Sequence, residues 1–142
     1  MARKIDLSAL QDAIGILLAE DSELTTLLGN KNGRIQGAGS AEVDFPYVSI
    51  GESDVTDTSV QGLAAKRVRF QCHTWTNERG FHSNKKIDAR IVAILDGNAF
   101  DVTDHRVVSC FHERSEFMRD PEDGIRHGIS EFDIEIEAAP LP

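Results

Sequence analysis

Cys110 and His112 stand two residues apart, the spacing that puts both side chains on one face of a strand, and Cys72 lies in a second apolar segment able to face them across a sheet. Thiolate and imidazole are zinc ligands, so the three form a conceivable partial metal set. It stops there: the chain has no CxxC, no HxxxH and no fourth ligand in register. A Cys–His nucleophilic pair drawn from the same residues needs a polarised, partly exposed thiolate. Apolar strand surroundings oppose that, and the reading becomes two reduced, buried thiols beside a surface histidine.

The other chemically able residues are scattered. His82 and His105 lie in polar connections, and His127 follows Arg126 at the start of an apolar alternation. Isolated histidines of this kind are surface or satisfied side chains. The glycine-rich GNKNGRIQGAG, from Gly29, lacks both the GxxxxGK[ST] lysine and a preceding strand, so it is no phosphate cradle. Asp120, Glu122 and Asp123 around Gly124 miss the ligand spacing and closing glutamate of a calcium loop and read as a tight turn. No catalytic, cofactor-binding or metal residue is assigned, and no cofactor is called for.

One pattern carries physical meaning. In SEFDIEIEA, Phe132, Ile134 and Ile136 point one way, and Glu131, Asp133, Glu135 and Glu137 point the other. Two readings of this carboxylate ladder stand. It is a solvated strand face offset by Arg67 and Arg69 on a neighbouring strand, or a surface that repels polyanions.

A chain of 142 residues with 40% hydrophobic content suffices for one core and one domain, 1–142, to position these residues. A formal net charge of −9 opposes tight nucleic-acid binding, which rests on clustered Lys and Arg. No apolar run approaches the roughly 20 residues that cross a bilayer, and the N-terminus lacks the pattern of a signal peptide, so a cytosolic chain without membrane contact is expected.

Leu7, Leu10, Ile14, Leu17 and Leu18 recur at helical spacing, which predicts a helix over about 8–20 capped by Asp6 or Ser8. Asp21 caps a second, short helix stopped by Gly29. Residues 30–44 read as a loop anchored by Ile35 and Val43. From Tyr47 a strand begins and runs into a polar arm, GESDVTDTSVQG, before a return strand over about 64–76 in which buried Val68, Phe70 and Cys72 alternate with Arg67, Arg69, Gln71 and His73 on a wet face. Ser83 or Asn84 is the expected cap of a helix bearing Ile87, Ile91, Ile94 and Leu95. Strands over about 104–118 and 126–138, joined by RDPEDG, precede a Pro-Leu-Pro tail. The order predicts an α+β fold, an antiparallel sheet of about four strands with two main helices on one face.

The chain resembles the tail-completion, or tail-terminator, proteins of long-tailed bacteriophages and phage-like gene transfer particles. The likeness runs through Leu27, Leu28 and Gly29 followed by Arg34 and Ile35, and through Pro46, Tyr47, Val48 and Gly51. Trp75 at a strand end, the Ile87–Leu95 stripe, and Arg119, Asp120, Gly124 and His127 in the closing strands complete it. What the resemblance implies is a structural virion protein without catalysis. It would form a homo-oligomeric ring, usually a hexamer, that caps the tail tube and joins it to the head connector, assembled in the bacterial host cytoplasm. In such a ring Glu131, Asp133, Glu135 and Glu137 become candidates for a bore through which DNA passes unbound. Subunit or partner contacts are then expected from the arm, with Glu52, Asp54 and Asp57, and from the 30–44 loop, with Arg34. A head-completion or connector-stopper protein is the alternative within that class, and a small Cys/His hydrolase the alternative outside it.

Overall fold

In the computed structural model, which describes residues 4–31, 33–37, 44–122 and 124–139, helix α1 spans Leu7–Glu20. Asp6 caps it, its Oδ1 accepting from Ser8 N at 2.9 Å, and Leu10, Ile14 and Leu18 form the buried stripe. Asp21 then serves twice. It ends α1 and, accepting from Leu24 N at 2.9 Å, starts α2 (Ser22–Leu27). The same carboxylate receives the Arg90 guanidinium at 2.7 and 2.8 Å, which ties the α1–α2 corner to α3 (His82–Leu95). Gly29, at φ 88°, supplies the left-handed residue that reverses the chain.

Among the described residues the sheet has six strands rather than about four: β1 (Ile35–Gly37), β2 (Tyr47–Asp57), β3 (Ala65–Thr76), β4 (Asp101–Val102), β5 (His105–Arg119) and β6 (Arg126–Ala138), in the order β1-β2-β3-β6-β5-β4. The four long strands are the expected ones. The two additions are stubs of three and two residues, too short to show a period of their own. β1 lies parallel to β2 inside the segment read as loop, with Ile35 opposite Val48. Every other pairing is antiparallel, and the β2–β3 and β5–β6 hairpins join through β3–β6. The short helix expected after Asp21 is α2, which joins the two main helices as a third and packs on α3.

α2 packs on α1 and α3, and these two cover one sheet face. That face carries Val68, Phe70 and Cys72 of β3 and Phe132, Ile134 and Ile136 of β6, all buried. The predicted cap of α3 is corrected. Its N-cap position is Phe81, with no side-chain hydrogen bond, and Asn84 is buried instead. There its Oδ1 accepts from Thr76 Oγ1 at 2.8 Å while Nδ2 donates to the Thr74 and Arg126 carbonyls at 3.3 Å. An amide with both donors and acceptor is better satisfied between helix and sheet than at a solvated helix start. The Val43 anchor, Asp123 of the RDPEDG turn and the Pro-Leu-Pro tail lie outside the described residues.

Candidate interaction surface

The thiols sit on the helix-covered face. Burial pushes the Cys110 thiol up to about 12 and raises that of Cys72 as well, with Cys110 and Asp88 adding to the latter. Neither is a nucleophile or ligand in this state. His112 does not turn toward them as a ligand: its Nε2 lies 2.8 Å from Ser115 Oγ, and its ring tilts against Phe132. Among the described residues no three His, Cys, Asp or Glu side chains are grouped so as to hold a metal.

Ser115 belongs to a cluster that periodicity hinted at only through Ser130, the polar member of an apolar face. Asp88 of α3 accepts from Ser115 Oγ at 2.7 Å and from Ser130 Oγ. A hydrolytic triad needs histidine between serine and carboxylate, so that the hydroxyl proton has somewhere to go. Here serine is in the middle and its proton faces Asp88. The arrangement fastens α3 to β5 and β6 without activating a nucleophile.

Among the described residues no helix covers the opposite sheet face, which holds the carboxylate ladder. Arg67 forks onto both oxygens of Asp133. Arg106 meets Glu137 at 3.1 Å, Arg69 meets Glu113 at 3.6 Å, and Arg114 reaches Glu116 at 3.2 Å and Glu131 at 3.8 Å. Glu135 lies opposite Arg67 in register and is exposed. The four ladder residues therefore share one face, and three of them have an arginine partner. Arg67, Arg69, Arg106 and Arg114 nevertheless share this face with six carboxylates of β5 and β6, Glu113, Glu116, Glu131, Asp133, Glu135 and Glu137, and with Asp54 of β2 opposite Arg69, so the excess is negative.

Towards the other end of this face the expected wet surface closes up. His73, read as solvated, is 7% exposed. Its Nδ1 lies 2.7 Å from His127 Nε2, and its Nε2 lies 3.1 Å from Gln71 Oε1 and 3.4 Å from Glu52 Oε2. His127 stacks on Trp75 with ring centroids 3.8 Å apart, and Trp75 stacks in turn on Tyr47 at 6.1 Å. The signal was an odd-numbered series, His73 and Trp75 on the arginine face of β3 with Tyr47 on its neighbour. Aromatic bulk there shields what alternation alone marks as wet.

Two imidazoles sharing one hydrogen bond resist double protonation. Burial, and then His73, pushes His127 down to about 4, and burial lowers His73 against the opposing pull of Glu52. Glu116 and Asp120 also face the pair and only partly offset this. The unfolded chain, with ordinary histidines, binds more protons as pH falls below about 6.5. Stability is therefore whole above that pH and is lost as pH falls from about 6.5 towards 4. After discounting for solvent screening, a loss of about 1–2 kcal/mol between pH 7 and pH 5 is expected in urea titrations. His127→Phe, which keeps the stack on Trp75, should flatten that dependence; an unchanged slope would remove the pair as its source.

The arm begins at Gly51, whose φ of 124° lies at the register shift between Ile50 and Ser53. Residues 52–63 are all exposed, including Val55 at 41% and Val60 at 64%, and Val60 and Leu63 close the tip by mutual backbone bonds at 3.0 Å. Glu52, Asp54 and Asp57 therefore stand on a projecting hairpin, with Asp57 held to Lys66 at 3.6 Å. Arg34 stands elsewhere and faces inward. It is 8% exposed and donates from one guanidinium nitrogen to the carbonyls of Asp44 and Pro46, at 2.8 and 2.9 Å, bracing the approach to β2. No helix among the described residues is long and apolar enough to cross a membrane.

The family described as Tail completion protein gp17 matches residues 12–137, from the middle of α1 to the end of β6. A chain of a solved structure described as "Virion of native gene transfer agent (GTA) particle" superposes with a TM-score of 0.83 at 26% identity, covering 92% of this chain and 96% of that one. No curated protein matches. A sheet face lined by ion pairs and aromatics and a projecting hairpin agree with that match, and the chain belongs to the Tail completion protein gp17 family as a structural protein of a phage-type tail.

Proposed function

We propose that the chain works as one domain and assembles, in about six copies, into a ring that caps the finished tail tube and joins it to the head connector. The observation that carries this reading is the family match over 12–137, which runs from within α1 through α3 and the long strands to Glu137 of β6. The neighbouring virion chain supports it by superposing over 92% of this chain. Ring closure needs two different surfaces on each subunit, and the arm with Glu52, Asp54 and Asp57 is the projecting one. Arg34 contributes by holding the β1–β2 corner rather than by direct contact. Glu131, Asp133, Glu135 and Glu137 face the bore, where their excess negative charge keeps passing DNA from adhering. Assembly takes place in the host cytoplasm, and the ring ends at the head–tail junction.

The test is genetic and visual. Particles made without this protein should show heads apart from tails, with tails of irregular length, and added protein should restore joining. Purified protein with tail-tube protein should show rings by negative stain. Joined particles of normal length without it, or a strict monomer under all these conditions, would overturn the reading.

A further inference from the structure

The sheet ends in two half-open edges. On the outer side of β2, β1 pairs only with Val48, Ser49 and Ile50, and no described residue pairs with Glu52–Asp57. On the outer side of β5, β4 pairs with His105 and Arg106 alone. Gly97 N then donates to Cys110 O at 2.7 Å, and Asp96 Oδ1 takes His112 N at 2.8 Å. From Glu113 to Arg119 nothing described covers the edge. Unpaired backbone of this length is a template for another strand.

We infer that the occupant is a second copy of this chain: the outer edge of β2 at Glu52–Asp57 pairs antiparallel with the outer edge of β5 at Glu113–Arg119 of the next subunit. Three features support this, and the inference rests on the ring reading above. The first is charge. The arm edge carries Glu52, Asp54 and Asp57, so two arms repel each other, whereas the β5 edge interleaves Arg114 and Arg119 with its acids. That favours a head-to-tail contact over a two-fold one, and head-to-tail contacts close into rings.

The second is displacement. Asp54 is level with Arg69, while Glu116 is level, through Ile129, with His73. The two free stretches are thus offset by four residues along β3, or about 14 Å, while β2, β3, β6 and β5 together span about 19 Å. Successive copies joined this way carry strands tilted by about 36° from the ring axis, inside the range of about 35–45° that closed barrels adopt.

The third is hand. β3 and β5 run parallel with α3 between them, and such crossovers are right-handed. Seen from the helix side with β3 running upwards, β5 then lies to the right with its free stretch high, and β2 lies to the left with its free stretch low. Barrel strands coil in a right-handed sense, which raises the right-hand neighbour when seen from outside. The offset matches only with the helices outside and the ladder face inside. Six copies would close a barrel about 45 Å across at the backbone.

Cysteine pairs test the contact, since Cys72 and Cys110 are buried and do not interfere. Asp54→Cys combined in turn with Arg114→Cys, Glu116→Cys or Met118→Cys samples the registers that keep both side chains on one face. Asp54→Cys with Ala89→Cys, on the exposed side of α3, is the control. Under mild oxidation of assembled protein, at least one of the three pairs should give a ladder of cross-linked multimers and the control none. Loss of rings in all three pairs but not in the control would also support the contact. Rings that form in all of them without a ladder overturn the inference and leave the ring reading standing. A wild-type chain that forms no ring overturns both.

Discussion

Phe132→Ala is expected to cost about 3–5 kcal/mol of folding stability, the range for removing a fully buried phenylalanine where the surroundings collapse only partly. Phe132 has no exposed surface. It sits on the central strand β6, opposite Phe70 on β3 and His112 on β5, so the void would open where the two hairpins join. Domains of this size hold only about 5–15 kcal/mol in all. The variant should unfold at much lower urea, with little change in slope. A loss below about 1 kcal/mol would mean that the helix layer settles into the gap, and that the sheet centre is not the rigid part of the fold.

Charge reversal on the ladder should have the largest functional effect. Glu135→Lys with Glu137→Lys turns the β3, β5 and β6 part of the uncovered face from four arginines and six carboxylates into six cations and four carboxylates. Asp133 is left alone because the Arg67 fork depends on it. Folding should change by no more than about 1 kcal/mol, since these are partly solvated pairs. The assembled variant should retain DNA with a steep salt dependence, which is the mark of counterion release, while the parent should bind almost none at the same salt. Tails carrying it should assemble and deliver DNA poorly. If the variant assembles, binds no DNA and delivers normally, the ladder is an ordinary ion-paired face. If assembly itself fails, the carboxylates lie at a subunit contact.

Amino-acid order alone determined what depends on local period and local chemistry. The stripe Leu10, Ile14, Leu18 and the alternation from Phe132 to Ile136 place a helix and a strand because burial repeats at 3.6 and at 2 residues. Asp6, Asp21 and Gly29 mark their ends because a cap or a left-handed residue acts on its own neighbours. The ladder could be seen in the chain for the same reason, and its resemblance to tail-completion proteins followed from short local motifs. What only the tertiary structure decided involves partners distant in sequence. β1 and β4 exist because long strands lend them hydrogen bonds, and their own two or three residues carry no period. Asn84 left its expected cap because Thr76 and the Arg126 carbonyl, far along the chain, offered it both hydrogen-bonding roles. His73 moved from wet to buried because Trp75, His127 and Glu52 converge on it from three strands. Periodicity reports which face a side chain is on; what covers that face is set by the order in which strands meet.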